Sequence, residues 1–177
     1  INLAHGSLYM IGAFCAAAVA GATGSFLLGL IAALAGAAIA GALVELVVIR
    51  RLYTKEHLDQ VLATFSLILI FSEGTRWLFG SFPLFLDIPD ALSGPVTLPG
   101  GIEYPLYRLT LIIVGLLIAA GLFLLISRTR LGIQIRAGEN DREMIAALGV
   151  DIAKLYTIVF ALGAALAGLA GAPVGAI

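Results

Sequence analysis

Five apolar runs leave this chain few folds to choose from. They cover Asn2 to Ala22, Phe26 to Ile49, Gln60 to Gly80, Leu106 to Ser127 and Ile152 to Ile177. A helix needs about 20 residues to cross a hydrocarbon core of about 30 Å, and most of the runs reach that length. Inside lipid no water is present to bond a free amide or carbonyl, so each run must satisfy its own backbone as a helix. Thr23-Gly24-Ser25 reads as the tight turn between the first two runs. Composition agrees, with 61% hydrophobic and 12% charged residues, where soluble domains hold about 45–50% and about 25%. The expected fold is all-α, a polytopic transmembrane helical bundle with about five membrane segments, forming one domain over residues 1–177. The chain lacks an initiator Met and both begins and ends in apolar sequence, so it reads as a fragment of a longer protein, truncated at both ends.

The polar stretches between the runs set the expected orientation. Arg50, Arg51 and Lys55 lie in one loop, and Arg128, Arg130, Arg136, Arg142 and Lys154 lie in or beside another. From Ser81 to Tyr107 there are Asp87, Asp90 and Glu103 but no Lys or Arg. Basic loops stay in the cytoplasm, so the first two stretches are expected inside and the third outside. The outer loop also holds Pro83, Pro89, Pro95, Pro99, Pro105 and the pair Gly100-Gly101, which excludes a continuous helix and implies an extended loop with turns.

The interlude Arg128 to Asp151 carries a miniature helix marked at both ends. Asn140 is a suitable N-cap and Glu143, three residues on, can reach back to it. Gly149 supplies the left-handed residue that stops a helix, and Asp151 then caps the fifth run. Met144, Ile145 and Leu148 share one face. So short a helix is unstable alone in water and must dock. Its partner is either its own membrane domain or the groove of a soluble protein.

Within the runs, a few polar groups stand out. Asn2 and His5, with Gly6, precede an apolar stretch that is short for a crossing. They are either a cytoplasmic helix start or a polar site at membrane depth, where a broken helix would line a cavity. Pro173, with Gly168, Gly171 and Gly175 around it, is either an ordinary kink or a discontinuity of the sort that borders substrate in transporters. Glu73 and Arg76 share a helical face beside Trp77, an interfacial residue, and are expected to be architectural. Glu45 is expected to extend to the cytoplasmic interface with no specific role. Cys15 reads as a small buried apolar residue. Ala32, Ala33, Gly36, Ala37, Ala40 and Gly41 in the second run, and Gly163, Ala167 and Gly171 in the fifth, are expected to let helix backbones approach closely.

No phosphate-binding Gly-x-x-x-x-Gly-Lys-Ser/Thr loop occurs, so the chain is not expected to hydrolyse nucleotide. No His-Glu-x-x-His or Cys-x-x-Cys spacing suggests a metal, and no cofactor is expected. Ser66 with His5 or His57 is a remote candidate for an intramembrane hydrolase, but no serine lies in Gly-x-Ser-x-Gly. Nothing marks the chain as an enzyme or as a partner of nucleic acid.

Several stretches, in order, resemble one family. Asn2-Leu3-Ala4-His5-Gly6 through Tyr9-Met10-Ile11-Gly12-Ala13 looks like the start of the second membrane segment in permeases of branched-chain amino acid ABC transporters. Thr64-Phe65-Ser66-Leu67 through Arg76-Trp77-Leu78-Phe79-Gly80 is similar to that family's middle segment. Arg136-Ala137, Asn140, Ala147-Leu148-Gly149-Val150-Asp151 and Leu166-Ala167-Gly168-Leu169-Ala170-Gly171 resemble its coupling loop and the helix after it. Asp141 departs from the family, which often has proline there, yet an acid in the first turn serves a helix equally well.

The resemblance implies a permease subunit in the inner membrane, paired with a second permease and two cytoplasmic ATP-binding cassette ATPases. It also implies a periplasmic substrate-binding protein that delivers leucine, isoleucine, valine or a related small amide. On it, Asn2, His5, Gly6 and Pro173 are expected along the translocation path, and Asn140, Arg142, Met144, Ile145, Leu148 and Gly149 at the ATPase contact. The alternative is an ion-coupled secondary transporter or channel for small amino acids or urea-like solutes, which has no use for a docking helix.

Overall fold

A computed structural model describes residues 3–53, 55–80, 86, 88–98 and 101–174. Five of its helices are long and apolar enough to cross a membrane, as the sequence led us to expect. Helix α1 spans His5–Thr23 and ends at Gly24, whose φ of 68° is the left-handed stop. The hydroxyl of Ser25 then accepts the Leu28 N–H at 3.4 Å and starts α2, Phe26–Val44. Beyond Val44 the same span continues through a π-helical turn, Glu45–Ile49, into Arg50–Leu52. Helix α3 spans His57–Phe79, and its Gln60 amide donates back to the carbonyls of Leu52 and Lys55 at 3.1 and 3.3 Å. That closes the turn between the two spans.

The chain divides into two compact units, residues 1–87 with 157–177 and residues 88–156. In the first, the C-terminal part of helix α7, Ile152–Val174, packs with α1, α2 and α3. Small residues carry the contacts. A Cβ at Gly12 would fall on the backbone of Gly168, one at Gly171 on the backbone of Tyr9, and one at Gly41 on the Ala164 methyl. Gly168 also has the Ala37 methyl and the Ala33 carbonyl against it. Gly41 with Ala164 and Ala37 with Gly168 run α2 antiparallel to α7, and Gly29 against Ala16 and Ala20 with Gly36 against Cys15 runs it antiparallel to α1, so α1 and α7 share a direction. The small-residue expectation thus holds with an addition. Besides Gly163 and Gly171, which face α1, a second stripe of Ala164 and Gly168 meets α2. Helix α3 joins α1 through Thr75, whose hydroxyl lies 3.7 Å from the Met10 sulfur, and through stacked Phe14 and Phe79 rings 5.0 Å apart. Glu73 and Arg76 pair at 3.4 Å on an exposed face, next to an exposed Trp77.

In the second unit, the described part of the Pro-rich loop forms a 3-10 turn, Asp90–Leu92, and a two-stranded antiparallel hairpin. Its strands are β1, Pro95–Leu98, and β2, Ile102–Pro105, and Gly101 at φ 77° lies in the turn. The sequence led us to expect turns here but no strand pairing. Helix α4 follows over Leu106–Arg128. Next comes α5, Arg130–Asn140, then α6, Arg142–Ala147. Helix α5 was read from sequence as part of a polar interlude. Thr129 caps it by accepting the Gly132 N–H at 3.2 Å, and Gly132 must lack a Cβ because the Ile126 backbone occupies that space.

Candidate functional site

At the start of α1, Ala4, Ser7 and Leu8 are buried, while His5 and Gly6 lie on the exposed side. The His5 ring runs beside α7, with its Cε1 3.6 Å from where a Cβ of Gly163 would be. Gly6 has open space around it. Asn2 lies outside the described residues. Pro173 is inside α7, which continues through it to Val174, so no break occurs there among the described residues. Ten residues of helix separate Gly163 from Pro173, about 15 Å at about 1.5 Å per residue, so the structure does not bring His5 and Pro173 together.

The expected short helix is present with a shifted start. Asp141, not Asn140, is its cap, and its carboxylate accepts the Met144 N–H at 3.0 Å. Asn140 is instead the last residue of α5. The reason is that α5 extends to position 140, which leaves only Asp141 in the extended conformation a cap requires. Gly149, at φ 86°, ends the turn, and the amides of Gly149 and Val150 fold back to the carbonyls of Ala146 and Ile145. Asp151 then starts α7 by accepting the Lys154 N–H at 3.1 Å, as expected. That bond, with the Lys154 ammonium 3.3 Å away, holds the Asp151 carboxyl below the usual aspartate range.

The three apolar residues of α6 do not behave alike. Ile145 is buried, whereas Met144 and Leu148 are 58% and 75% exposed. The Arg142 guanidinium lies over the Tyr156 ring, 5.2 Å from its centroid. Helix α6 is therefore anchored within its own chain by Ile145, while two large apolar side chains remain uncovered.

A third group escaped the sequence reading. Glu45 does not extend to water: it is fully buried at the head of the π-helical turn. Its carboxylate pairs with Arg50 at 3.3 Å and accepts a bond from the Thr157 hydroxyl at 2.6 Å. The same hydroxyl accepts from Arg50 Nη2 at 2.7 Å. The sequence signal was Glu45 itself, five residues before Arg50, since an acid in an apolar span needs a partner. Thr157, 112 positions away, carries no mark in the sequence.

A family model described as the permease component of branched-chain amino acid transport systems matches residues 1–177. The chain is also 29% identical, over 194 residues, to the high-affinity branched-chain amino acid transport system permease protein BraD of Pseudomonas aeruginosa. That match covers 99% of this chain and 61% of the relative, so the chain spans about three fifths of the relative's length. No solved structure matches.

Proposed function

The chain belongs to the family of permease components of branched-chain amino acid transport systems, and from that membership we propose that it forms one membrane-spanning subunit of an ATP-driven importer. Its cargo in this reading is leucine, isoleucine or valine, delivered by an external binding protein and moved across the bacterial inner membrane. Two ATPase subunits dock from the cytoplasm and a second permease subunit completes the path. The observation that carries the reading is the exposed apolar pair Met144 and Leu148 on a short capped helix, a surface that water does not favour and a partner groove would cover. The basic loops around Arg50 and Arg136 support a cytoplasmic position for that helix.

Asn2 and His5 are assigned to the path because polar side chains at membrane depth are functional by default, and Gly6 and Pro173 join them on the family resemblance alone. The test is uptake of labelled leucine into vesicles holding the full-length permease with its partner subunits, with ATP enclosed and ion gradients collapsed. Uptake that needs ATP supports the importer. Uptake that follows an ion gradient and ignores ATP points to the secondary transporter instead. His5→Leu is expected to lower uptake in an assembled complex, and a variant that transports at the normal rate removes His5 from the path.

A further inference from the structure

Along most of their length helices α2 and α7 meet through apolar groups, with the Phe160 ring beside Gly41. Ala33 and Ala37 lie on Gly168, and Gly41 lies on Ala164. These groups pack closely and hold together by shape alone. At one end this changes. Glu45, wholly buried, faces Arg50 on its own turn and Thr157 on α7.

The bond lengths divide unevenly. Arg50 reaches the carboxylate at 3.3 and 3.4 Å, which is long for a charge-assisted pair. The Thr157 hydroxyl binds both ions more closely, donating to Glu45 at 2.6 Å and accepting from Arg50 at 2.7 Å. A hydroxyl has one proton and two lone pairs, so a single threonine can serve both roles at once. Arg50 keeps 38% of its side-chain surface open, so it can turn to water if the hydroxyl leaves. Glu45 has no such exit.

The backbone at this place is also displaced from the α-helical pattern. Between Glu45 and Ile49 the turn is π-helical, and the Arg50 N–H bonds to the Glu45 carbonyl five residues back. Such single π-helical turns inside a helix are rare and frequently lie at functional sites. A buried ion pair likewise adds little stability over apolar residues of the same volume; its attested use is to fix register or to switch.

We propose that Glu45, Arg50 and Thr157 form a polar latch that sets the register of α2 on α7 and opens and closes as the permease changes state. They are positioning residues, acting on helices and not on the cargo. The link to transport rests on the function proposed above, but the latch itself can be read without transport.

The experiment uses the full-length permease with its partner subunits, with Cys15→Ala and spin labels at positions 47 and 158, both exposed in the native chain. Inter-label distances are measured for the parent, Thr157→Ser, Thr157→Val and the double variant Glu45→Leu with Thr157→Val. Thr157→Ser keeps the hydroxyl and should retain the parent distribution. Thr157→Val keeps the shape but loses both bonds, and should shift the balance of closed and open populations by about tenfold, the size expected for bonds to charged groups. The double variant removes the buried charge, so it should assemble even if Thr157→Val does not, and should show the same shift.

An unchanged distribution in the double variant overturns the latch. So does failure of both valine variants to assemble, which would mark a purely structural bond. If the parent moves no leucine yet the distances respond as described, the importer reading fails and the latch stands.

Discussion

Leu148→Asp tests the docking helix with the fewest confounding effects. Leu148 is 75% exposed, so the permease itself gains little from it. Substitutions at such positions change stability by about 0.5 kcal/mol or less. Full burial of a leucine is worth about 1.5–3 kcal/mol, so the three quarters still exposed offer a partner about 1–2 kcal/mol. At about 1.4 kcal/mol per decade, losing it weakens docking about five- to thirtyfold, and an acid forced into an apolar groove weakens it further. The assay is copurification of the ATPase subunits with the variant, alongside substrate-stimulated ATP hydrolysis in vesicles. Ile145→Asp is the contrast, because Ile145 is 6% exposed and an acid there damages the permease before any partner is involved. If Leu148→Asp assembles and binds the ATPases as tightly as the parent, the uncovered face of α6 is not where they dock.

Three further outcomes follow from the same structure. Gly168→Ala should destabilise the permease by about 1–3 kcal/mol through overpacking, because the new methyl meets Ala37 and the Ala33 carbonyl, while Gly115→Ala, with open space, should be neutral; thermal unfolding in detergent reads both. A cysteine probe at Ser93 should react with a membrane-impermeant reagent from outside and one at Glu139 should not; the reverse pattern would invert the orientation and remove the cytoplasmic docking argument. The Asp151 carboxyl, lowered first by its bond from the Lys154 amide, is expected to stabilise the start of α7 above the ordinary aspartate range. That stabilisation is lost as pH falls through the lowered folded value, so a carboxyl-carbon NMR titration should show a midpoint below that of an unfolded peptide, and Asp151→Asn should abolish the titration while keeping the cap.

The spans were legible because length and apolarity alone define them, and all five helices lie where the runs do. The cap at Asp151 was legible too, where one acid stands between Val150 and Ile152, and the turn at Thr23-Gly24-Ser25 likewise. Helix α5 was not, because Arg130, Arg136, Gly132 and Gly138 give it the composition of a loop, and only Thr129 signalled its start. Once α5 runs to Asn140, the next cap moves by one residue. The stripe on α7 was legible only in part, because Gly163 and Ala164, or Ala167 and Gly168, are equally small and nothing polar breaks the tie. The burial of Glu45 depends on a threonine far away in the chain, and spacing within one span says nothing about such a partner.

The meeting of Gly12 with Gly168 bears on how this molecule can change over time. A clash between two side chains can be cured by trimming either one. Here both partners are already glycine, and backbone lies against backbone. If Gly12 acquires a side chain, it meets only the Gly168 backbone and its neighbour has nothing left to remove, whereas a side chain at Gly168 meets the Ala37 methyl first. For Gly12, relief comes only from moving a whole helix. A change at Gly168 is therefore relieved in part by Ala37→Gly, whereas a change at Gly12 finds nothing at the contact to trim.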